Sequence, residues 1–350
     1  MLAAGLICTD FKPRARCSWY NYCPMKITDQ IIGHSDQITQ LQSDLDTGNI
    51  SHAYLFIGPQ SIGKMTVARW FAKELLTSGV DESQRAHVTD TMQRLIHPDF
   101  LVMDKLWMEE DFDDWDEIGK YSNVPQEHRS KAPKAKTDSI SIDDVRALQS
   151  RLIETSSSKY LCCIIRSVER MQDSAANAFL KILEEPPSRV IFILTASSIS
   201  QVLPTILSRT RVIHFHPVAN TLLRPLSESL DESEANLLLH LSRGAPGRFL
   251  TLKNDPDALS AEKQLHSQAA HFWQDSTLLE RSQWLLSFTK EESATLEKVL
   301  LHVGLALREM PDVQAKARFA PPFAQLIADL QTNAHKPLIL QRFALALEAK

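Results

Sequence analysis

The chain has 350 residues, 43% of them hydrophobic and 23% charged, with a net charge of −5 at neutral pH. That length exceeds one core of roughly 100–200 residues, so two or three domains are expected. The acidic balance excludes a stand-alone DNA binder that works by global attraction to phosphate, and no apolar run reaches the roughly 20 residues that span a bilayer.

Residues 1–26 read as an N-terminal extension without function. Residues 2–8 are apolar but lack a basic start and are too short for a secretory leader, and Met25 immediately precedes the first patterned segment. A P-loop domain is expected over 27–217. Short apolar runs recur at 54–57, 100–103, 161–165, 190–194 and 211–215, separated by helical periodicity, which predicts an α/β fold with a parallel sheet. One connecting helix is well marked: Asp173 can serve as N-cap, Ala176, Phe179, Leu180 and Leu183 share a face, and Pro186-Pro187 ends it. Between the second and third runs, 104–136 is acidic over 109–117 and basic over 128–136, with Pro125 and Pro133 inside it. It is expected to be a solvated insertion.

After Pro217 the pattern is all-helical. A small segment, 218–262, holds Gly244-Ala245-Pro246-Gly247-Arg248. A longer region, 263–350, carries an apolar stripe of Leu296, Val299, Leu300, Val303 and Leu307, and 338–347 is apolar on more than one face, as for burial against other helices or another subunit. The cysteines are Cys8, Cys17, Cys23 and the neighbours Cys162 and Cys163, none at zinc-ligand spacing. Adjacent cysteines in an apolar strand act as small hydrophobes, which suits a reducing compartment, so a cytoplasmic location is expected.

Gly58-Pro59-Gln60-Ser61-Ile62-Gly63-Lys64 lies between a strand and a helix. There the glycines allow close backbone approach to phosphates, the helix N-terminus adds partial positive charge, and Lys64 neutralises the outer phosphates. The next residue is Met65, where an active P-loop needs a hydroxyl for Mg²⁺, and a thioether is a poor ligand for a hard cation. Thr66 comes one residue late, about 100° around the helix. A second metal position, an acid at the end of strand 161–165, is taken by Arg166. A guanidinium there can fill the metal site and neutralise phosphate, or pair with Glu169.

The motifs around these residues resemble the bacterial DNA polymerase III clamp-loader family. They are Ser51-His52-Ala53-Tyr54-Leu55-Phe56 before the P-loop, His97-Pro98-Asp99, Leu180-Lys181-Ile182-Leu183-Glu184-Glu185-Pro186-Pro187 and Leu207-Ser208-Arg209-Thr210. The resemblance implies an AAA+ module, a helical lid over 218–262 and a C-terminal helical collar over 263–350. Through the collar, five subunits would assemble to load a sliding clamp onto primed DNA. Within the family, the degenerate loop and Arg166 look like the delta-prime type, with other gamma/tau and delta-type subunits as partners, ATP or ADP held without turnover, and no membrane contact. Arg209 matches the arginine that reaches a neighbour's ATP. Thr195 falls at the first sensor position, or caps a strand end. Arg248 resembles the second sensor, or makes a surface pair. Family zinc ligands do not carry over, since 77–96 has no cysteine, so no zinc is expected. An active gamma/tau-type ATPase and a structural AAA+ protein outside replication stand as alternatives.

Overall fold

A computed structural model of the chain describes residues 31–104, 118–126, 139–153, 158–228, 230–274, 276–288, 293–330, 332 and 335–348. The N-terminal extension and 105–117 and 127–136 of the insertion lie outside the described residues. The chain packs as two compact units divided between Leu252 and Lys253.

The first unit is built on five strands: β1 (Ala53–Ile57), β2 (Phe100–Met103), β3 (Leu161–Ile165), β4 (Val190–Ala196) and β5 (Arg211–His214). They lie in the order β2-β3-β4-β1-β5, and every neighbouring pair is parallel. Strands covered on both faces need continuous apolar sequence, which is why these runs do not alternate. Tyr54, Phe56, Val102, Ile164 and Ile193 pack with helices α1 (Ser35–Thr47), α2 (Lys64–Thr77) and α3 (Glu82–Gln93). Leu55, Met103, Cys163, Phe192 and Leu194 pack on the other side with α4 (Ile142–Leu152), α5 (Asp173–Glu184) and α6 (Pro204–Leu207). Cys162 and Cys163 are thus core residues on opposite faces, and burial pushes both thiols well above their ordinary value. The unit ends in α7 (Glu232–Ser242) and the first turns of α8 (Pro246–Asn254).

Three expectations are corrected. Asp173 is the first residue of α5, not its cap, and the N-cap Gln172 makes no side-chain capping bond. The Gln172 N–H donates to the Ile140 carbonyl at 3.0 Å and its side chain to Ser139 Oγ at 3.0 Å, so pairing with a distant segment sets the helix start.

The insertion is not solvated throughout: Asp104, Ile118, Tyr121, Val124 and Gln126 are buried. Asn123 accepts from the Val102 N–H at 2.7 Å and donates to the carbonyls of Phe100 at 2.7 Å and Leu95 at 3.1 Å. Because β2 is an edge strand, this segment covers backbone groups that would otherwise stay open.

The boundary placed at 262/263 falls inside α9 (Pro256–Gln274), a continuous helix that belongs wholly to the second unit. Residue composition shifts gradually there, whereas the packing divides ten residues earlier.

The second unit is all-helical, with α9, α10 (Leu278–Ser287), α11 (Ser293–Glu309), α12 (Val313–Leu330) and α13 (Lys336–Ala346). The expected stripe on α11 is buried together with Phe272, Trp273 and Phe343, and Trp273 Nε1 donates to the Val303 carbonyl at 2.8 Å. On α13, Ile339, Leu340 and Phe343 face this core, while Leu338 and Leu345, one heptad apart, are 64% and 60% exposed. Among the described residues no helix is long and apolar enough to cross a membrane.

Candidate nucleotide loop and arginine site

The loop leaves the carboxyl end of β1, where the chain order of the sheet reverses, the usual place for a ligand on an open α/β sheet. A side chain at Gly58 would overlap the carbonyl oxygen of Phe215, and Gly63 sits at φ 112°, so both glycines are dictated by the backbone. Four loop carbonyls are engaged inside the protein. Lys64 Nζ donates to Gly58 O and, at 2.7 Å, to Pro59 O; the Gly247 N–H donates to Ser61 O at 2.9 Å; His34 Nε2 donates to Ile62 O at 2.8 Å. The His34 ring also packs against Phe215 at 4.9 Å with the rings tilted by 60°, and burial lowers its pKa.

Lys64 is largely desolvated, and its pKa is lowered from 10.5 to about 8; Glu169 opposes the shift and Arg166 adds to it. The unfolded chain therefore holds this proton more tightly than the folded one, and stability contributed here rises with pH between about 8 and 10.5. The stability difference between Lys64→Met and the wild type is expected to move in favour of the wild type as pH rises from about 8 to 10.5, because only the wild type carries the lysine that neutralises there. Urea denaturation of both proteins across that range checks it; a difference that does not change with pH would contradict the desolvation.

The residues at the two metal positions do not fit Mg²⁺. Met65 is buried with the core formed by α1, α2 and α3, and Thr66, one residue on, is partly buried. Arg166 donates from a terminal guanidinium nitrogen to Asp104 Oδ1 at 2.6 Å. Its partner is therefore Asp104 on the adjacent strand end, not Glu169. Arg170 closes the cluster by donating to the carbonyls of Asp104 at 2.7 Å and Arg166 at 2.8 Å, and Ser122 Oγ accepts from the Asp104 N–H at 2.8 Å. Asp104 stands at the end of β2, three strand spacings, roughly 14 Å, from β1 and its loop. Glu169 instead accepts from the N–H of Ser197 at 3.0 Å and from its hydroxyl, which ties the turn after β3 to the end of β4. The other oxygen, Glu169 Oε2, is buried and has no partner among the described residues.

Thr195 is buried, and its Oγ1 accepts from the Ser167 N–H at 3.0 Å, so it joins the carboxyl ends of β3 and β4. Arg248 follows Gly247 in the first turn of α8, and the Gly247–Ser61 contact sets that turn against the P-loop. Gly58, Gly63, Lys64, Met65, Thr66, Arg166, Glu169, Thr195 and Arg248 thus gather along one edge of the sheet.

Arg209 does not join them. It precedes β5, which pairs with β1 so that Tyr54 faces Arg211 and Ile57 faces His214. The strands between hold the P-loop and Arg209 on opposite edges, roughly 10 Å or more apart at about 3.3 Å per residue. Its guanidinium donates to Glu184 Oε1 at 2.8 Å, Thr205 O at 3.0 Å and Ser208 Oγ at 3.2 Å. Asp104 was legible as an acid directly after a strand, but Glu184 had no local signal, since it lies 25 residues from Arg209.

The family model described as "DNA polymerase III, delta subunit" matches residues 33–219, more than half of the chain. The gamma/tau subunit of DNA polymerase III from Mycobacterium tuberculosis is 28% identical over 209 residues, 59% of this chain and 31% of that protein. The delta' subunit from Pseudomonas aeruginosa is 28% identical over 204 residues, 56% of this chain and 54% of that one. The chain thus spans about a third to a half of the length of these relatives. A gamma-subunit-related protein from Thermotoga maritima superimposes with TM-score 0.42 and 18% identity, covering 88% of this chain and 98% of that one. With its P-loop architecture and the family match over more than half its length, this chain belongs to the clamp-loader family of DNA polymerase III.

Proposed function

We propose that this chain is a non-hydrolysing, delta-prime-like subunit of a cytoplasmic clamp loader. It joins subunits of the gamma/tau and delta types, helps load a sliding clamp onto primed DNA, and supplies Arg209 as an arginine finger to a neighbour's ATP. One observation carries this: Arg209 lies on the sheet edge away from the chain's own P-loop, whose metal positions hold a core methionine and a paired arginine. That placement supports a role toward a nucleotide bound to another subunit, and the residues at the loop support dependence on other subunits for hydrolysis. Leu338 and Leu345, exposed on α13, suit a collar that meets other subunits.

Gly58, Gly63 and Lys64 remain suited to hold the phosphates of ATP or ADP, with Thr66 beside them; Thr195 and Arg248 flank the loop as sensors would. No zinc takes part. A bound phosphate would draw the Lys64 ammonium from the loop carbonyls and keep it protonated, so nucleotide affinity falls as pH rises through about 8. The isolated protein is expected to turn over no ATP above background in the presence of Mg²⁺. Steady turnover that vanishes in Lys64→Ala would overturn this and favour an active gamma-type subunit. Failure to copurify with clamp-loader subunits would favour an AAA+ protein outside replication.

A further inference from the structure

We propose that Glu184 is a positioning residue for Arg209: its carboxylate, at the end of α5, fixes the guanidinium in the plane from which it meets a neighbour's phosphate. This rests on the finger function of Arg209 proposed above.

Two observations carry it. The first is the count of donors. A guanidinium has five N–H groups. Three are used, one on Glu184, one on Thr205 O and one on Ser208 Oγ. The remaining two have no partner among the described residues, and the side chain is 34% exposed. The result is a held fork with two spare donors, the arrangement that suits a phosphate oxygen.

The second is electrostatic. The carboxyl end of a helix carries partial negative charge, and α5 places Glu184 there with Glu185 following as its C-cap. The Thr205 carbonyl comes from α6, whose own carboxyl end is beside Arg209. Arg209 therefore sits in a socket made by two helix ends and a carboxylate. Glu184 is 51% exposed, so the pair contributes little to folding. Its effect is to restrict the long arginine side chain before the neighbour arrives, so that less freedom is lost in the transition state.

The test uses the complex reconstituted with its partner subunits and compares Glu184→Ala, Glu184→Gln, Arg209→Ala and the Glu184→Ala/Arg209→Ala double variant in DNA- and clamp-stimulated ATP hydrolysis. Displacement by roughly 1 Å can cost about 10²-fold at one site; with the work spread over several sites, Glu184→Ala is expected to lower kcat by on the order of 10-fold while KM for ATP stays nearly constant. Glu184→Gln, which keeps an acceptor, should recover most of the loss. The double variant should be no slower than Arg209→Ala, because Glu184 acts only through that residue. If Arg209→Ala slows the complex and Glu184→Ala does not, the positioning role is wrong while the finger stands. A faster Glu184→Ala complex would make Glu184 a mask rather than a guide and would overturn the proposal. An Arg209→Ala complex at full rate would remove the finger and the positioning role together.

Discussion

Replacing Arg209 with alanine should slow ATP hydrolysis and clamp loading by the reconstituted complex while leaving this chain folded and assembled. In the finger role proposed above, the planar guanidinium would stabilise charge that develops on the transferring phosphoryl group of a neighbour, and such fingers contribute about 10³–10⁵ in rate where a single site is measured. In an assembly with several nucleotide sites the observed loss is smaller, because sites served by other subunits continue to turn over. Folding should be spared: the side chain is one-third exposed, its hydrogen-bond partners among the described residues are Glu184, Thr205 and Ser208, and exposed pairs of this kind contribute at most about 1 kcal/mol. Arg209→Lys should not restore the rate, since an ammonium keeps the charge but lacks the fork. Size-exclusion chromatography and steady-state hydrolysis decide it. A mutant complex that assembles and loads clamps at the unmutated rate would exclude Arg209 as a working finger.

The largest effect on stability is expected at the buried pair of Arg166 and Asp104. The Asp104 side chain is fully buried, and its Oδ2 has no partner among the described residues, so Arg166 is the charge that makes the site tolerable. Arg166→Leu leaves a buried carboxylate without its counter-charge and should cost about 3 kcal/mol, near the lower end for a broken buried pair because Arg166 is 25% exposed. An acid at 166 should be no better: Arg166→Asp would set two carboxylates side by side and should destabilise the protein. Replacing both partners, Asp104→Leu with Arg166→Leu, should recover most of the loss, since two apolar side chains leave nothing uncompensated. Denaturant unfolding of the single and double variants tests this. Equal cost in the single and double variants would show that the pair is not what holds Asp104 in place.

Much of the site was legible because it is local. The apolar runs of β1 to β5 mark a sheet covered on both faces, and two glycines and a lysine between a strand and a helix mark the phosphate loop whatever lies around them. Met65 and Arg166 stand at positions counted from a loop and a strand end, so their chemical type too could be read without coordinates. The apolar face of α5 was legible, but its first residue was not, because Gln172 is held by Ile140 and Ser139, more than thirty residues earlier in the chain.

What the sequence by itself determined is therefore the parallel α/β framework, the loop at the carboxyl end of β1 and the chemical type of the residues beside it, Met65 and Arg166, all of which follow from residue type and local pattern. Tertiary structure alone decided that Arg166 pairs with Asp104, 62 residues away, rather than with nearby Glu169, whose carboxylate is already held by Ser197. It likewise decided that Asn123 folds part of a charged insertion onto the edge of β2, and that the packing divides at Leu252 rather than inside α9. The placement of Arg209 against Glu184, on the far edge of the sheet from Lys64, belongs to the same group. Each of these turns on which distant charge or backbone group arrives within hydrogen-bonding distance, and that is set by strand order and helix packing, which no local period encodes.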